Sequence, residues 1–600
     1  MENEKLEKAR HSCAHIVASA ANELYPNLKF GVGPVIENGF YYDIDFPENI
    51  GEEDLQKIED KAKELMKSGL TFERQEMSLE DGVNFFQKNG QIYKVELLND
   101  LKKHGTTKIS EEEKQEVGDS AKEISLYKSG EFTDLCRGPH IENSSELNPE
   151  GLKLTRLAGA YWRGKNENPQ LQRIYGVYFE TKQELEDHME MLAEAEKRDH
   201  RKIAKAQELY FFDDKVGKGL VMWLPNGTII RNEIEKLAVE KEDKAGYKRV
   251  VTPHLAKEEL YITSGHLPYY KDDMYPAMEM DDGTYYLRSM NCPHHHLVFG
   301  HKPRSYKELP LRVAEYGTVY RNELSGTLAG LLRVRGLTMN DAHTYCSKTQ
   351  IKYEFRAVIN MTMDYFKMFD LGDYWFRLSK WDPEKTEKYI NEPENWKFAE
   401  NVLREVLQEM EVPFTEASDE AAFYGPKVDV QFKSIIGREE TLSTVQLDFL
   451  AKERFGLKYI DETGNENNEV FVIHRAPLST HERFIAFLIE HYAGKWPVWL
   501  APVQVQFVPV SDKFLEGTKE LAQKFVDAGV RIEIDSASET VGKKVRKAVE
   551  NKVPYIIVVG ERELSGDNFA VRMRDKDGET ENINKEEFVE RIVKEIKERK

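Results

Sequence analysis

Two pairs of reactive side chains in the first part of the chain share one spacing: His11 and His15 in RHSCAH, and Cys136 and His140 in DLCRGPH. On a helix, residues four apart point the same way. At about 100° per residue the two histidines fall roughly opposite the apolar stripe of Leu6, Val17 and Leu24, so that stripe does not account for them. Together the pairs offer three imidazoles and one thiol, a set suited to a metal site or to a hydrolytic pocket. Either pair alone is compatible with a solvated surface. Both in one segment favour a shared function.

A second set is dispersed. Cys292 stands in RSMNCPHHH, His343 in NDAHTYC and His474 in FVIHRAP. Spacing does not unite them, and each alone fits a satisfied core residue. Their neighbours carry more. In VYRNELSGTLAGLLRVRG, Arg321 and Glu323 follow an apolar run, and a Ser-Gly-Thr turn precedes Leu331–Val334, which predicts strand, loop, strand. In LSTHERFIAFLIEHY, Arg483 lies near the start of an amphipathic helix that follows the predicted strand Val470–Ile473. An arginine so placed can reach phosphates with its fixed charge and planar fork, or can form a surface salt bridge.

These residues need a large scaffold. The 600 residues correspond to about three to five domains. Hydrophobic residues make up 40% and charged residues 32%, ordinary globular usage that excludes a disordered or fibrous chain. The net charge of −21 argues against a general nucleic-acid coat but leaves room for a local basic surface, and Lys543, Lys544, Arg546, Lys547 and Lys552 supply one. No apolar run reaches about 18 residues, and MENEKLEKARHSCAH has no signal-peptide core, so no membrane span and a cytoplasmic location are expected. Four widely spaced cysteines predict reduced thiols.

Along the chain, an opening helix carries Leu6, Cys13, Val17, Ala20 and Leu24, and strands are predicted at Phe40–Ile44 and Arg173–Phe179. Thr181–Leu209, rich in Glu, Lys, Ala and Leu, predicts a connecting helix. After Trp496 a small α/β unit with a mixed sheet is predicted. Its strands are Pro502–Val510, Val530–Ile534, Tyr555–Val559 and Asn568–Arg574, and its helices are Leu515–Ala528, Val541–Asn551 and Lys585–Arg599.

The ordered motifs resemble those of the threonyl-tRNA synthetases, a family of class II aminoacyl-tRNA synthetases, over nearly the whole sequence. RHSCAH with DLCRGPH resembles the family's editing domain. Arg231–Pro253 resembles motif 1, which builds the dimer interface; YRNE resembles motif 2 and HERF motif 3. MNCP, DAH and VIHRA resemble the zinc-ligand segments, and WLAPVQV opens a stretch like the anticodon-binding domain. The resemblance implies a multidomain α+β chain: an α+β editing domain over 1–180, a linker helix over 181–205, a class II core with an antiparallel sheet flanked by helices over 206–497, and an α/β anticodon-binding domain with a mixed sheet over 498–600.

The resemblance also implies a reaction. Threonine and ATP, with Mg²⁺, give threonyl-adenylate, which is transferred to the terminal adenosine of tRNA(Thr). Arg321 would stabilise the α-phosphate, Glu323 accept from adenine, Arg483 lie by the γ-phosphate or on adenine, and His266 in TSGH help deprotonate the ribose. Cys292, His343 and His474 would hold one Zn²⁺ per subunit, with Asp341, Tyr424, Lys427 and Gln446 around the amino acid. Valine lacks the hydroxyl such a site needs and can be rejected by ~10⁴-fold or more, whereas serine lacks only a methyl, worth roughly 1–3 kcal/mol. A second site is therefore expected, formed by His11, His15, Lys94, Asp134, Cys136 and His140, which deacylates seryl-tRNA with an activated water and no metal. Glu563 and Arg572 would contact the anticodon, and Lys543 and Arg546 the phosphate backbone or nothing.

Several positions depart from the family pattern. Met339 stands where glutamine is common and Asn340 where aspartate is. Thr441 replaces a glutamine and Ser479 a glycine. The ubiquitin-like domain that often precedes the editing domain is expected to be missing, because His11 lies so near the start of the sequence. A thioether cannot donate a hydrogen bond, so the contact at 339 to the amino acid or adenylate must differ. A non-catalytic RNA-binding relative would be expected to lose Arg321, Glu323, Arg483 or the metal triad. A synthetase for proline or serine would not need that triad.

Overall fold

The structure, a computed structural model, describes residues 2–104, 123–164, 167–385, 388–433 and 439–600. The chain forms two compact units, Met1–Ala193 and Glu194–Lys600.

The first unit is built on the helix Glu2–Leu24. Its small residues, such as Ala14, Ala18 and Ala21, let neighbours close on it from nearly every side between Ala9 and Ala21. It packs on the helix Glu52–Lys67, which buries Leu55, Ile58, Ala62 and Met66, and on a five-stranded antiparallel sheet. The predicted strands are the two central ones of that sheet, Gly39–Asp45 and Gln170–Tyr178. A three-stranded sheet of Phe72–Ser78, Glu123–Ser129 and Phe132–Leu135 carries the chain to Cys136. The helical wheel puts the histidines opposite the apolar stripe, but that face is not solvated: His15 is 2% exposed, with Phe132 and His140 packed edge-on against its ring.

The predicted connecting helix is two helices, Lys182–Arg198 and His200–Ala206. Asp199 divides them, because its carboxylate caps the second by accepting from Arg201 N at 2.8 Å.

In the second unit an eight-stranded sheet runs from Lys248–Arg249 at one edge through Leu311–Tyr320, Gly336–Ser347, Val470–Arg475, Glu439–Asp448, Lys427–Lys433 and Tyr374–Ser379 to Phe414–Ala417. Only the two outermost pairings are parallel. The helices Ile351–Met368, Pro393–Glu409 and His481–Tyr492 bury their apolar faces in the same core as this sheet. Register does the positioning. Val313 pairs with His343, His343 with His474, His474 with Gln446, and Gln446 with Lys427. Cross-strand partners point to one face, so residues scattered over more than a hundred positions become a single row. Asp341, two residues before His343, shares that face.

The expected second strand at Leu331–Val334 begins instead at Gly336. Leu331 is fully buried and its N–H donates to His200 Nε2 at 3.2 Å, so this apolar run anchors the loop between the strands.

The C-terminal part has the expected mixed sheet. Ile532–Ile534, Val505–Pro509 and Tyr555–Val559 are parallel, and Asn568–Met573 and Thr580–Asn584 are antiparallel additions. The last strand, with sequence TENIN, carries too little apolar alternation to be read from sequence.

Candidate active-site cleft and a second buried cluster

A cavity of about 470 Å³ opens over the histidine row. Arg321, Glu323, Asp341, Tyr424, Gln446 and Arg483 line it, together with Cys292, His343 and His474. Each element delivers its residue for a local reason. Cys292 opens the helix Cys292–Gly300 beside Pro293, and Arg483 sits in the first turn of His481–Tyr492, where its N–H is capped by Thr480 Oγ1. Neither the Arg321 nor the Arg483 guanidinium is in an ion pair among the described residues, so both cations face the cavity. The Glu323 carboxylate instead accepts from Arg333 Nε at 2.8 Å.

Cys292, His343 and His474 each offer one ligand atom, and these atoms lie within 4.8 Å of one another. All three residues are buried. His474 Nε2 is 3.1 Å from Asp448 Oδ2, a carboxylate partner of the kind that orients a metal-ligating imidazole. Burial, helped by the Asp341 and Asp448 charges, pushes the Cys292 thiol far up, and burial with the neighbouring His474 pushes His343 far down. An uncharged imidazole is the form that ligates a metal. The donor set of one thiol and two imidazoles therefore fits a zinc-class ion.

Asp341 accepts from Asn291 Nδ2 at 3.0 Å. Asn291 in turn rests on Gly317, where a Cβ would come within 2.3 Å of its Oδ1. The Tyr424 hydroxyl donates to Gln446 Oε1, and the Tyr424 ring stacks on His474 at 5.2 Å. Lys427 belongs to the same row, but its amine pairs with Asp429 Oδ2 at 3.1 Å and it does not line the cavity. His266 lies beside a small adjoining cavity with Cys292 and His474. It is buried, Nδ1 bonds Ser264 Oγ at 2.7 Å and Nε2 faces Met290 Sδ at 2.9 Å. Burial, then the Arg454 charge, pushes its pKa down to about 4.

The departures divide into two groups. Met339, Thr441 and Ser479 line the cleft. Thr441 Oγ1 accepts from Gln431 Nε2 at 2.8 Å, and Ser479 takes φ 51°, the left-handed region that favours glycine. Asn340 does not belong with them. Strand alternation turns it to the other face, where it donates to Glu242 Oε1 at 2.8 Å and accepts from Arg475 Nη1 at 3.3 Å.

In the first unit, His11, His15, Cys136 and His140 also come within 4.8 Å of one another. Cys136 Sγ is 3.2 Å from His140 Nε2 and 3.4 Å from His11 Nε2. His15 Nε2 lies 3.8 Å from Asp134 Oδ2, and its Nδ1 is buried without a partner among the described residues. Asp134 receives Lys94 Nζ from the helix Ile92–His104 and the Tyr42 hydroxyl from the central sheet. Burial pushes the Cys136 thiol up to about 11 and holds all three histidines below their usual range.

Sequence reasoning missed Tyr42, Asp448, His295 and Glu315. Asp448 alone had a local signal, because it follows Gln446 by two on one strand and so shares its face.

The two residues expected at the anticodon are placed differently. Arg572 points outward from its strand, while Glu563 Oε2 accepts from Gly560 N at 3.0 Å and caps the short helix Glu561–Ser565. The expected basic patch is smaller than its sequence. Lys544 is buried and donates to Asp535 O at 3.0 Å, and the Lys552 amine bonds Ala493 O. Lys543 pairs with Glu539, which leaves Arg546 and Lys547 exposed on the helix Val541–Glu550.

Comparison with known proteins agrees along the chain. Residues 275–492 match the tRNA synthetase class II core domain (G, H, P, S and T), 504–595 the anticodon binding domain, and 124–175 the threonyl and alanyl tRNA synthetase second additional domain. The threonine–tRNA ligase of Halalkalibacterium halodurans is 46% identical over 599 residues, 99% of this chain and 90% of the relative. Threonine–tRNA ligase 1 of Bacillus subtilis is 48% identical over 597 residues, 99% of this chain and 89% of the relative. The solved RNA binding domain of threonyl-tRNA synthetase from Cryptosporidium parvum Iowa II superposes with a TM-score of 0.63 at 31% identity, covering 66% of this chain and 98% of that one.

Proposed function

The chain belongs to the threonine–tRNA ligase family, and on that premise we propose how its residues divide the work. The enzyme activates threonine with ATP, transfers it to tRNA, and edits through its additional domain. The observation that carries the residue assignment is the convergence of Cys292, His343 and His474 beside Asp341 at the floor of one cavity.

In this reading those three side chains hold one Zn²⁺ per subunit. Bound there, the ion would supply Lewis acidity and open coordination for the amino and hydroxyl groups of threonine. Asp341 accepts from the hydroxyl, and Gln446, its oxygen occupied by Tyr424, turns its amide N–H groups to the substrate. Lys427 supports the row from its edge, held against Asp429. Arg321 and Arg483 neutralise the triphosphate that arrives with Mg²⁺, and this charge neutralisation is what phosphoryl chemistry demands. The threonine carboxylate attacks the α-phosphorus and pyrophosphate leaves. Glu323 can meet adenine once Arg333 releases its carboxylate. His266, neutral at pH 7, takes the proton from the attacking ribose hydroxyl of tRNA(Thr), which requires the Met290 thioether to yield its place at Nε2.

The N-terminal cluster clears seryl-tRNA(Thr). His11, His15, Cys136 and His140 enclose the hydrolytic water, and Lys94 and Asp134 set the charge beside them. The Lys94 ammonium next to the cluster disfavours a resident dication, which supports hydrolysis without a metal. Arg572 and the exposed Arg546 face tRNA in the C-terminal part, and Glu563 orders its local turn.

Dimerisation through motif 1 is supported by the edge position of Lys248–Arg249 and by Val251, which is 94% exposed. No helix among the described residues is long and apolar enough to cross a membrane, and the four free cysteines suit the reducing cytoplasm.

The test is ATP–pyrophosphate exchange by the full chain. Exchange should depend on threonine, persist with serine and fail with valine, and His15→Ala should accumulate seryl-tRNA while threonylation continues. Valine exchange equal to threonine exchange, or undiminished seryl-tRNA clearance by His15→Ala, would contradict the assignment.

A further inference from the structure

We propose that His295 is a positioning residue for His343, and that Glu315 acts through it to leave the metal-facing nitrogen of His343 unprotonated. The proposal rests on the reading above that Cys292, His343 and His474 hold Zn²⁺.

Three histidines follow Cys292 and Pro293 on one helix, and their surroundings differ. His296 Nδ1 meets the Tyr345 hydroxyl at 3.0 Å, whereas His294 has no side-chain hydrogen-bond partner among the described residues. His295, fully buried, is bonded at both ends. Its Nδ1 lies 2.7 Å from His343 Nδ1, and its Nε2 lies 3.1 Å from Glu315 Oε2. The two rings meet edge to face at 4.7 Å. Glu315 is itself fixed. Its Oε1 accepts from Thr252 N at 3.0 Å and from Arg288 Nη1 at 3.3 Å, and its Oε2 accepts from Thr252 Oγ1 at 2.8 Å.

Donor and acceptor arithmetic then determines the protons. A carboxylate ringed by donors can only accept, so His295 Nε2 carries a hydrogen. A neutral His295 with Nε2–H presents a lone pair at Nδ1. Of the two facing nitrogens one must donate, so His343 Nδ1 carries the hydrogen. That leaves the lone pair of His343 on Nε2, where a metal can use it. The opposite arrangement would put a proton on His343 Nε2 and disable the ligand. Outer partners of this kind fix ring orientation and raise ligand basicity. The geometry is held twice over, since Glu315 lies in the strand that pairs directly with the strand of His343, with Glu315 opposite Asp341.

The test measures the zinc dissociation constant of the full chain by competition with a chromophoric chelator. His295→Phe keeps the ring volume and removes both nitrogens. Glu315→Gln keeps His295 and removes the acceptor-only carboxylate, so it decides the matter if the phenylalanine variant does not fold. Both should weaken zinc about 10–100-fold. His295→Gln, whose amide both accepts and donates, should recover most of the loss, which a merely space-filling role would not produce. Cys292→Ser is measured in parallel. If the parent binds zinc no better than Cys292→Ser, the metal reading itself is refuted. If Cys292→Ser weakens zinc while His295→Phe and Glu315→Gln bind it as the parent does, only the positioning role is overturned.

Discussion

Replacing Asp134 by asparagine removes one charge from a buried set and almost nothing of its shape. Asp134 accepts from Lys94 Nζ and from the Tyr42 hydroxyl. Lys94 is 2% exposed, and the only other polar partner of its amine among the described residues is Tyr42 Oη, at 3.5 Å. Asparagine preserves an acceptor for Tyr42 but strands the ammonium. A buried charge deprived of its partner costs about 3–5 kcal/mol. For a unit of this size each kcal/mol moves Tm by about 2–4 °C, so the transition of the first unit should fall by about 6–20 °C. Adding Lys94→Met removes the stranded charge, so the double variant should regain more than half of the loss. Calorimetry of the full chain resolves the shift, with seryl-tRNA clearance lost and threonine-dependent exchange retained. A fall of less than about 2 °C, or effects of the two substitutions that simply add, would refute the reasoning.

Glu482 gives a pH-dependent expectation. It is fully buried at the start of the helix His481–Tyr492, and burial pushes its carboxyl up to about 7 despite the hydrogen bond from Thr338 N. The native state therefore holds a proton that the unfolded chain has lost, so stability falls as pH rises from about 4.5 to about 7, by about 3 kcal/mol in all. Glu482→Gln should gain about 2–3 kcal/mol relative to the parent between pH 5 and pH 8 in urea titrations, and a constant difference would contradict it. Ser479→Gly should relieve a left-handed backbone cost of about 1–2 kcal/mol, offset by about 0.5–1 kcal/mol of extra unfolded-state freedom. A net loss of stability in the same titration would show that Ser479 earns its place through a contact.

Much of the architecture was legible because it follows from local pattern. The apolar runs at Val505–Pro509 and Tyr555–Val559 and the amphipathic helix at His481–Tyr492 fall where alternation and helical periodicity put them. The convergence of Cys292, His343 and His474 was legible only through the motifs around them, since register across two strands and a helix start is not written in spacing. The burial of the histidine face of the first helix was not legible, because a wheel sees one partner, while this helix is covered on nearly every side between Ala9 and Ala21. Lys544 and Lys552 looked like surface charge because a sequence cannot show which backbone carbonyl captures an amine. His295 was hidden among three adjacent histidines, and only the strand bearing Glu315 distinguishes it from its neighbours.

The central claim is that Cys292, His343 and His474 hold the ion that grips threonine. Its most direct measurement is a crystal structure of the full chain with threonine, recorded on both sides of the zinc absorption edge. The account predicts one anomalous peak per chain in the sheet cleft, with Cys292 sulfur at about 2.3 Å and two imidazole nitrogens at about 2.0–2.1 Å. Threonine bound in a cleft with no such peak, or a peak confined to His11, His15, Cys136 and His140, would contradict it.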